Sequence, residues 1–358
     1  MLNKIKSLTP HSFKRLLKPK IEYLLDVIVT EYYFRFRKRQ TQQELKLIRN
    51  IPRNLHIEGT NICNAKCTFC AYPKMEREKG LMVMEEFRRI VDQYVIMGGK
   101  YVSLTPIVGE PFVDRHLFER LDDLNRRQEI KGFYFYTNAI LMKPEVSEKL
   151  LAYGEKLNIY VSWGGFDRET YKAIMGVDRF ELVRHNIEAF VEAKLKLGSS
   201  TALTIALRCP PTKWHGDLWE KFNQWKKEKI INIQFINAYD SWAGKVKDEK
   251  LKQVGLEPVI KPYKRGACEL LYMKPIILAN SKVNACACRD VEAELIVGDL
   301  RESTLPEIWA GKGIEELINR QESGDFPDVC KRCTWYVSVY NYRKRNSRIS
   351  TMQHWSED

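Results

Sequence analysis

The chain has 358 residues and a formal net charge of +13 at pH 7. Its length leaves room for one large domain and a smaller one, and a hydrophobic content of 44% excludes an intrinsically disordered chain. Without an apolar run of about 18 residues or a signal peptide, the sequence predicts a cytoplasmic protein. Nine cysteines in a chain of this length indicate metal binding in a reducing compartment rather than disulfides.

Residues 1–50 form a basic segment with a helical pattern, interpreted as an N-terminal extension. Apolar residues, among them Ile21, Leu24 and Ile28, recur at three- and four-residue steps, and a positive block follows at 35–39. Such a helix either packs on its own domain or lies on a membrane surface. The sequence leaves both open. Contact of residues 12–38 with the inner face of a membrane would suit a lipid-linked substrate.

Short strand-like runs alternate with helical patterns from residue 51 to 245, which predicts βα units and a parallel sheet. Within a strand, Leu203 and Ile205 face one side, and Thr204 and Arg208 face the other. We expect the apolar set under the helices and the polar set in the lumen of a barrel. The candidate strands are 54–59, 100–105, 132–137, 157–163, 202–208 and 231–236. The candidate helices include 83–97, 114–127, 180–195 and 215–228.

A Cys-x3-Cys-x2-Cys run, formed by Cys63, Cys67 and Cys70, follows the first strand. Three thiolates this close can hold three corners of a four-iron, four-sulfur (4Fe–4S) cluster, whose full protein ligation takes four cysteines. One iron would stay open, and an open coordination position lets a metal site do chemistry. Zinc is the alternative, but it needs a fourth nearby ligand, and the next cysteine is Cys209.

This motif, with Phe69 before its last cysteine, resembles that of the radical S-adenosylmethionine (SAM) superfamily. Gly109-Glu110-Pro111 resembles the family's Gly-Gly-Glu-Pro element, and Thr137-Asn138 matches the start of its Thr-Asn-Gly. Ser162 opens a segment similar to the family's Ser-x-Asp-Gly, although Gly164 replaces the aspartate. The resemblance covers about residues 50–345.

The resemblance implies a fold of the α/β class. A partial (β/α)6 barrel is expected at 51–245, a small C-terminal α+β domain of the twitch or SPASM type at 246–345, and a polar tail at 346–358. In the family, SAM binds the open iron through its methionine part. One electron then cleaves the sulfonium bond, and the resulting 5′-deoxyadenosyl radical removes hydrogen from a C–H bond.

The resemblance also implies roles for residues around SAM. Gly109 and Glu110 are expected to contact the methionine ammonium, and Asn138 and Ser162 to lie near the ribose. Arg208 lies at the carboxyl end of a barrel strand, where functional groups of such barrels concentrate. We expect it to bind the SAM carboxylate or an anionic substrate, with a structural salt bridge as the alternative.

A second group of cysteines lies in the C-terminal part of the chain. The sequence "ILANSKVNAC" indicates a hairpin, which would bring the first two of these cysteines together on paired strands. Thr304 and Glu307 form a candidate capping box for the helix that leads to the last two. The arrangement resembles a twitch domain with one auxiliary 4Fe–4S cluster, although structural zinc stays open, as does Cys288 in place of the second ligand. The expected ligands are Cys268, Cys286, Cys330 and Cys333.

The auxiliary cluster favours an oxidation, because turning an alcohol into a ketone passes a second electron to an acceptor. Related twitch enzymes include an aminocyclitol dehydrogenase, so the resemblance implies a sugar, an aminocyclitol or a nucleotide- or lipid-linked saccharide as substrate, with flavodoxin or ferredoxin as reductant. An epimerase would need a spare thiol, Cys209 or Cys288, and Cys209 has the parity of the buried outer face. A peptide-modifying enzyme is a further alternative. A nucleic-acid-binding protein with structural metal sites would fit the charge, but no RNA-binding motif supports it.

Overall fold

A continuous sheet of nine strands has the order β6-β5-β4-β3-β2-β1-β7-β8-β9. The computed structural model describes residues 10–236 and 238–344, with side chains from Lys20 onward. The predicted polar tail at 346–358 lies outside the described residues, as do the side chains of 12–19. The strands are β1 (Leu55–Ile57), β2 (Tyr101–Ser103), β3 (Gly132–Thr137), β4 (Leu157–Trp163), β5 (Ala202–Leu207), β6 (Asn232–Phe235), β7 (Ile276–Ile277), β8 (Lys282–Asn284) and β9 (Ile296–Asp299).

Strands β1 to β6 are parallel and neighbour one another in chain order. Helices connect them, so this part is an unclosed barrel of βα units, and the predicted α/β fold class is confirmed. The helices of this part are α3 (Met84–Ile96), α4 (Leu117–Arg126), α5 (Pro144–Leu151), α6 (Arg168–Met175), α7 (Phe180–Leu197) and α8 (Asp217–Lys227).

The two faces of the strands differ as their alternation predicts. Leu55 and Ile57 of β1 are fully buried in the main hydrophobic core. On the other face, the rings of Tyr136 and Tyr160 stack with centroids 4.4 Å apart. Next to them Thr204 donates a hydrogen bond to Asn158 at 3.5 Å. The inner face therefore carries polar and aromatic side chains, as a substrate cavity needs.

The C-terminal part continues the same sheet. Strand β7 runs parallel to β1, and β7, β8 and β9 form an antiparallel meander. Ser281 has a left-handed φ of 67° in the predicted hairpin turn. The capping box of Thr304 and Glu307 is confirmed. The helices of this C-terminal part are α9 (Asp248–Gln253), α10 (Leu270–Met273), α11 (Leu305–Ala310), α12 (Lys312–Ser323) and α13 (Asp328–Arg332).

The expectation that Cys268 and Cys286 lie on paired strands is wrong. Cys268 precedes α10 and makes an isolated antiparallel bridge with Ser338. The hairpin strands are too short to reach it, because β7 begins only at Ile276. A tertiary contact with a segment 70 residues later fixes this cysteine instead, and local pattern does not reveal such a contact.

The N-terminal extension is helical and packs on the C-terminal part. It consists of α1 (Pro10–Phe36) and α2 (Lys38–Ile48). The ring of Tyr33 stacks on Tyr342 at 5.0 Å, and that of Phe34 packs edge-on against Tyr340 at 5.1 Å. No helix in the described ranges is both long enough and apolar enough to cross a bilayer.

Candidate active site

The loop after β1 brings Cys63, Cys67 and Cys70 together. Burial raises the pKa of all three thiols, that of Cys63 to about 12, and charge on neighbouring thiolates raises it further for Cys63 and Cys67. The turn is closed by a hydrogen bond from the Cys70 amide to the Cys67 carbonyl at 3.1 Å. The Tyr72 amide donates to the Cys70 sulfur at 3.4 Å. The raised pKa keeps these thiols protonated, and they release their protons when they bind a metal as thiolates.

The C-terminal end of α6 is hydrogen-bonded to this loop. The amides of Lys66 and Thr68 donate to the carbonyls of Met175 and Ile174, at 3.3 and 2.9 Å. Helix α6 ends at Gly176, whose φ of 70° is left-handed. A Cβ atom at Gly176 would lie 2.1 Å from the Lys66 carbonyl oxygen. Only glycine therefore allows this approach between the helix end and the cysteine loop.

Glu110 is a buried carboxylate beside the loop. It accepts hydrogen bonds from the Thr137 hydroxyl at 2.6 Å and the Asn138 amide at 2.7 Å. Burial raises its pKa to about 7, against these donors, and within the described ranges no basic side chain forms an ion pair with it. The preceding Gly109 has a φ of 147°, and a Cβ there would lie 2.7 Å from the Thr60 carbonyl oxygen.

Asn138 and Ser162 follow along the same edge of the sheet. The Asn138 amide group donates to Asn64 at 2.7 Å and lies 3.9 Å from the Cys63 sulfur. Ser162 is half-buried at the end of β4. A Cβ at Gly164 would lie 2.4 Å from the Cγ atom of Met175. A side chain at this position would therefore require Met175 to move.

Arg208 follows β5 and extends over the cysteine loop. Its guanidinium lies 5.2 Å from the ring centre of Phe69 and 5.9 Å from that of Tyr136. Its charge lowers the pKa of Cys67 and Cys70, against the larger effect of burial. The Nε atom is buried without a hydrogen-bond partner, and no carboxylate of the described residues pairs with the guanidinium. It is therefore positioned to receive an anionic group from a ligand.

A second cavity lies in the C-terminal part, and its empty space of about 460 Å³ includes open solvent at its mouth. Apolar side chains such as Leu271 and Val329 form much of its wall, which suits a group shielded from water. The four cysteines that the sequence singled out all line it; they are Cys268, Cys286, Cys330 and Cys333.

Polar groups bond to three of these four cysteines. The side chain of Gln321 accepts from the Cys268 amide at 2.7 Å and donates to the Cys330 sulfur at 3.3 Å. The Trp335 amide donates to the Cys333 sulfur at 3.3 Å. Donors of this kind stabilise charge on cluster ligands.

The two further cysteines lie in different surroundings. Cys209 is 2% exposed in the main core, as its parity predicts. Cys288 packs against the main core under the barrel, whereas Cys286 packs against the C-terminal core. Burial raises the pKa of Tyr134 on the inner face of β3, and charge on Cys288 adds to that rise. Cys288 therefore lies within electrostatic range of Tyr134.

The arrangement of the thiols fits clusters better than single metal ions. Among the described residues, no three His, Cys, Asp or Glu side chains converge closely enough to hold one ion. A tetrahedral zinc site would bring its sulfurs within roughly 4 Å of one another. The corners of a 4Fe–4S cube are more widely spaced. Three loop thiols with Arg208 above them, and four thiols around an apolar cavity, suit one cluster each.

Comparison with protein families decides the identity of this fold. Residues 57–208 match the family model of the radical SAM superfamily, and residues 268–334 match that of the iron–sulfur cluster-binding SPASM domain. The chain belongs to the radical SAM superfamily. This radical SAM enzyme uses SAM and 4Fe–4S clusters.

Curated relatives share about half of the enzyme. A GTP 3′,8-cyclase of Mannheimia succiniciproducens is 26% identical over 188 residues, which make up 51% of this chain and 52% of that protein. A GTP 3′,8-cyclase of Clostridium perfringens is 25% identical over 193 residues, 52% of this chain and 53% of that protein. The chain thus spans about half the length of the curated relatives it matches.

Solved structures share the fold over more of the chain. BtrN in complex with AdoMet and 2-DOIA has 13% identity and a TM-score of 0.53, covering 79% of this chain and 93% of BtrN. Streptococcus suis SuiB bound to the precursor peptide SuiA has 17% identity and a TM-score of 0.56, covering 78% and 69%. At these identities the likeness shows the fold alone.

The sequence did not reveal several residues that shape the two sites. Gly176 could have been found from the sequence, because a glycine after a helical run often ends the helix. No sequence pattern indicates the ion pair of Asp240 and Arg289, which lies close to cysteines of both groups. Its partners are 49 positions apart and come together only in the folded chain.

Proposed function

We propose that this radical SAM enzyme oxidises a hydroxyl-bearing carbon of a small polar substrate to a carbonyl, with the auxiliary cluster as electron acceptor. One observation carries the proposal: the wall of the auxiliary cavity lies two residues along the chain from a thiol near the inner face of the barrel. Cys286 lines the cavity, and Cys288 is close enough to Tyr134 on β3 for its charge to raise the pKa of that tyrosine. A substrate in the lumen would thus lie beside the acceptor.

The roles of individual residues follow from their positions. We propose that the first cluster is held by the loop after β1 and the second by the four-cysteine cavity. When bound, the first cluster and SAM supply the 5′-deoxyadenosyl radical. Glu110, a buried carboxylate that pairs with no basic side chain of the described residues, suits the methionine ammonium, and Gly109 lets its loop approach closely. Arg208 suits the SAM carboxylate or an anionic substrate, and the rest of the SAM pocket we assign to Phe69, Asn138 and Ser162.

The reaction balances as a two-electron oxidation. The substrate carbon would lose one hydrogen atom to the 5′-deoxyadenosyl radical, which would become 5′-deoxyadenosine. The carbon would then lose one electron, and the hydroxyl group its proton, as the carbonyl forms. An auxiliary cluster held by Cys268, Cys286, Cys330 and Cys333 would be the acceptor for that electron, and flavodoxin or ferredoxin would supply the electron that SAM cleavage needs.

Product analysis tests this proposal. Cluster-loaded enzyme is incubated anaerobically with SAM, dithionite and a panel of aminocyclitols, nucleotide-linked sugars and lipid-linked saccharides. We expect a carbonyl product and 5′-deoxyadenosine in equal amounts with at least one panel member. Release of 5′-deoxyadenosine together with any product of unchanged oxidation state would contradict dehydrogenation.

Epimerisation is the second candidate, favoured by the position of Cys288. If the thiol of Cys288, which lies within electrostatic range of Tyr134, faces the lumen, it could return a hydrogen atom to the opposite face of the substrate carbon, which the buried Cys209 cannot do. The two candidates separate with Cys288→Ala in deuterated water. Dehydrogenation predicts unchanged turnover and no solvent deuterium in the product. Epimerisation predicts deuterium at the reacting carbon in the wild type and loss of turnover in the variant.

SAM binding should depend on pH through Glu110. Its pKa of about 7 leaves roughly a tenth of the carboxyl ionised at pH 6 and most of it at pH 7.5. Only the ionised form attracts an ammonium, so SAM affinity of the cluster-loaded enzyme should rise about fivefold to tenfold over this range. Equilibrium dialysis measures it. Glu110→Gln should bind SAM weakly at both pH values, and a flat wild-type profile would show that Glu110 is not the ammonium partner.

We propose further that α1 contacts an anionic membrane surface. Ile21, Leu24 and Ile28 are 52%, 58% and 54% exposed on one face of the helix. The opposite face, with Thr30, is buried against the C-terminal part. The exposed, basic Arg37 and Arg39 follow the helix. An apolar face followed by positive charge suits the boundary of an anionic bilayer.

Vesicle sedimentation tests the membrane proposal. The wild type should bind vesicles containing phosphatidylglycerol more tightly than pure phosphatidylcholine. Replacing Ile21, Leu24 and Ile28 with serine should weaken binding at least about tenfold, because apolar burial is lost. The matched control replaces Ile96, Leu195 and Leu197, which are 82%, 55% and 51% exposed elsewhere on the surface. Equal binding of both triple variants would contradict the proposal.

A further inference from the structure

A cation lies between two indole rings at the junction of the two cysteine sites. The guanidinium of Arg289 is 4.5 Å from the ring centre of Trp242 and 4.6 Å from that of Trp335. Its Nε atom forms an ion pair of 2.6 Å with Asp240. Arg289 and Asp240 are both largely buried, so water screens this pair little. We name this group of four residues the tryptophan–arginine stack.

Each end of the tryptophan–arginine stack is tied to one cysteine site. The indole N–H of Trp242 donates to the carbonyl of Phe69, next to Cys70, at 2.7 Å. At the other end the amide of Trp335 donates to the Cys333 sulfur at 3.3 Å. Arg289 itself lines the cavity of the four cysteines. The charge of Arg289 therefore acts near both sites and lies at the wall of the second.

The backbone around Trp242 is held in an unfavourable conformation. Trp242 and Ala243 have left-handed φ values of 49° and 52°. Two consecutive non-glycine residues in this conformation are strained and persist only when surrounding contacts enforce them. The contacts come from the segment before Trp335, where the Thr334 hydroxyl accepts from the Ser241 amide at 2.8 Å. The fold thus holds Trp242 against Arg289.

We propose that Arg289 is a positioning and tuning residue whose fixed charge, balanced by Asp240, sets the reduction potential of the auxiliary cluster. A cluster with four thiolates gains negative charge when it is reduced, and a nearby buried cation stabilises the reduced form. Arg289 therefore makes the auxiliary cluster a better electron acceptor. Asp240 limits this effect and fixes the direction of the guanidinium. The inference rests on the proposed ligands but not on the substrate or the reaction.

Direct measurement of the potential tests the role of Arg289. In the full chain carrying Cys63→Ala, Cys67→Ala and Cys70→Ala, the auxiliary cluster is titrated alone and followed by electron paramagnetic resonance. Arg289→Gln should lower the equilibrium constant for one-electron reduction at least tenfold, which is 59 mV. Asp240→Asn, which keeps the acceptor for the Trp242 amide, should raise it. Opposite shifts are expected from charge, and a merely structural role would not produce them.

Control variants distinguish an effect of charge from a loss of structure. Arg301→Gln breaks a surface pair with Asp299 and should leave the potential unchanged. Arg289→Lys keeps the charge, so its equilibrium constant for one-electron reduction should stay within about threefold of that of the parent protein. If Arg289→Gln fails to hold a cluster, Asp240→Asn decides alone, and an unchanged or lowered potential overturns the inference. Loss of iron in ligand variants tests the ligand assignment separately.

Discussion

Replacing Cys330 and Cys333 together with alanine is expected to remove about half of the iron and leave SAM cleavage in place. Two 4Fe–4S clusters amount to about eight irons per chain. The two cysteines line the second cavity and lie far along the chain from the loop that contains Cys63. Iron analysis of anaerobically reconstituted protein and 5′-deoxyadenosine release with dithionite measure both effects. Substrate oxidation should be lost, because the electron acceptor is gone.

Cys209→Ala is the control, since this thiol is buried but does not line the second cavity. It should retain about eight irons and full SAM cleavage. The complementary variant, with Cys63, Cys67 and Cys70 replaced, should retain about four irons and cleave no SAM. Retention of all iron in the Cys330/Cys333 variant would show that these thiols hold no cluster.

Most of the barrel prediction rests on the alternation of apolar and polar residues. A strand such as β5 buries Leu203 and Ile205 under the helices, and this periodicity can be seen without any structure. Sequential parallel strands then neighbour each other because short helical connections allow little else. The first cysteine loop was predictable for the same reason, since its three thiols are local in sequence.

The sequence predicts which cysteines form the second site but not which parts of the fold bring them together. Four cysteines with metal-ligand spacing are visible in the sequence, yet Cys268 reaches the cavity through contact with Ser338 and not through the hairpin. Likewise, the extension of the barrel sheet by β7 depends on a pairing with β1 more than 200 residues away. Long-range pairing leaves no periodic signal, so it appears only in the folded chain.

The same distinction separates Cys286 from Cys288. In sequence they stand two positions apart, and spacing favours Cys286 as the ligand without excluding Cys288. In the fold the chain between them passes from the C-terminal core to the main core, so that Cys286 lines the cavity and Cys288 does not. A two-residue step thus leads from the proposed electron acceptor to a thiol within electrostatic range of Tyr134.

Gly176→Ala is expected to abolish SAM cleavage although Gly176 bears no functional group. An alanine there pays about 1–2 kcal/mol for its left-handed backbone, and its Cβ would lie 2.1 Å from the carbonyl oxygen of Lys66. Lys66 lies between Cys63 and Cys67, so relief of this overlap displaces the cysteine loop itself. We expect loss of about half of the iron, with the auxiliary cluster retained and no 5′-deoxyadenosine released.

Gly198→Ala separates this effect from backbone strain. Gly198 also ends a helix with a left-handed φ, 60°, but a Cβ there meets nothing within 4 Å. Alanine at this position should lower the free energy of unfolding by about 1 kcal/mol and leave both clusters and SAM cleavage intact. Equal iron content and equal SAM cleavage in the two variants would show that the end of α6 does not position the cysteine loop. A loss confined to Gly176→Ala ties the first cluster to that contact.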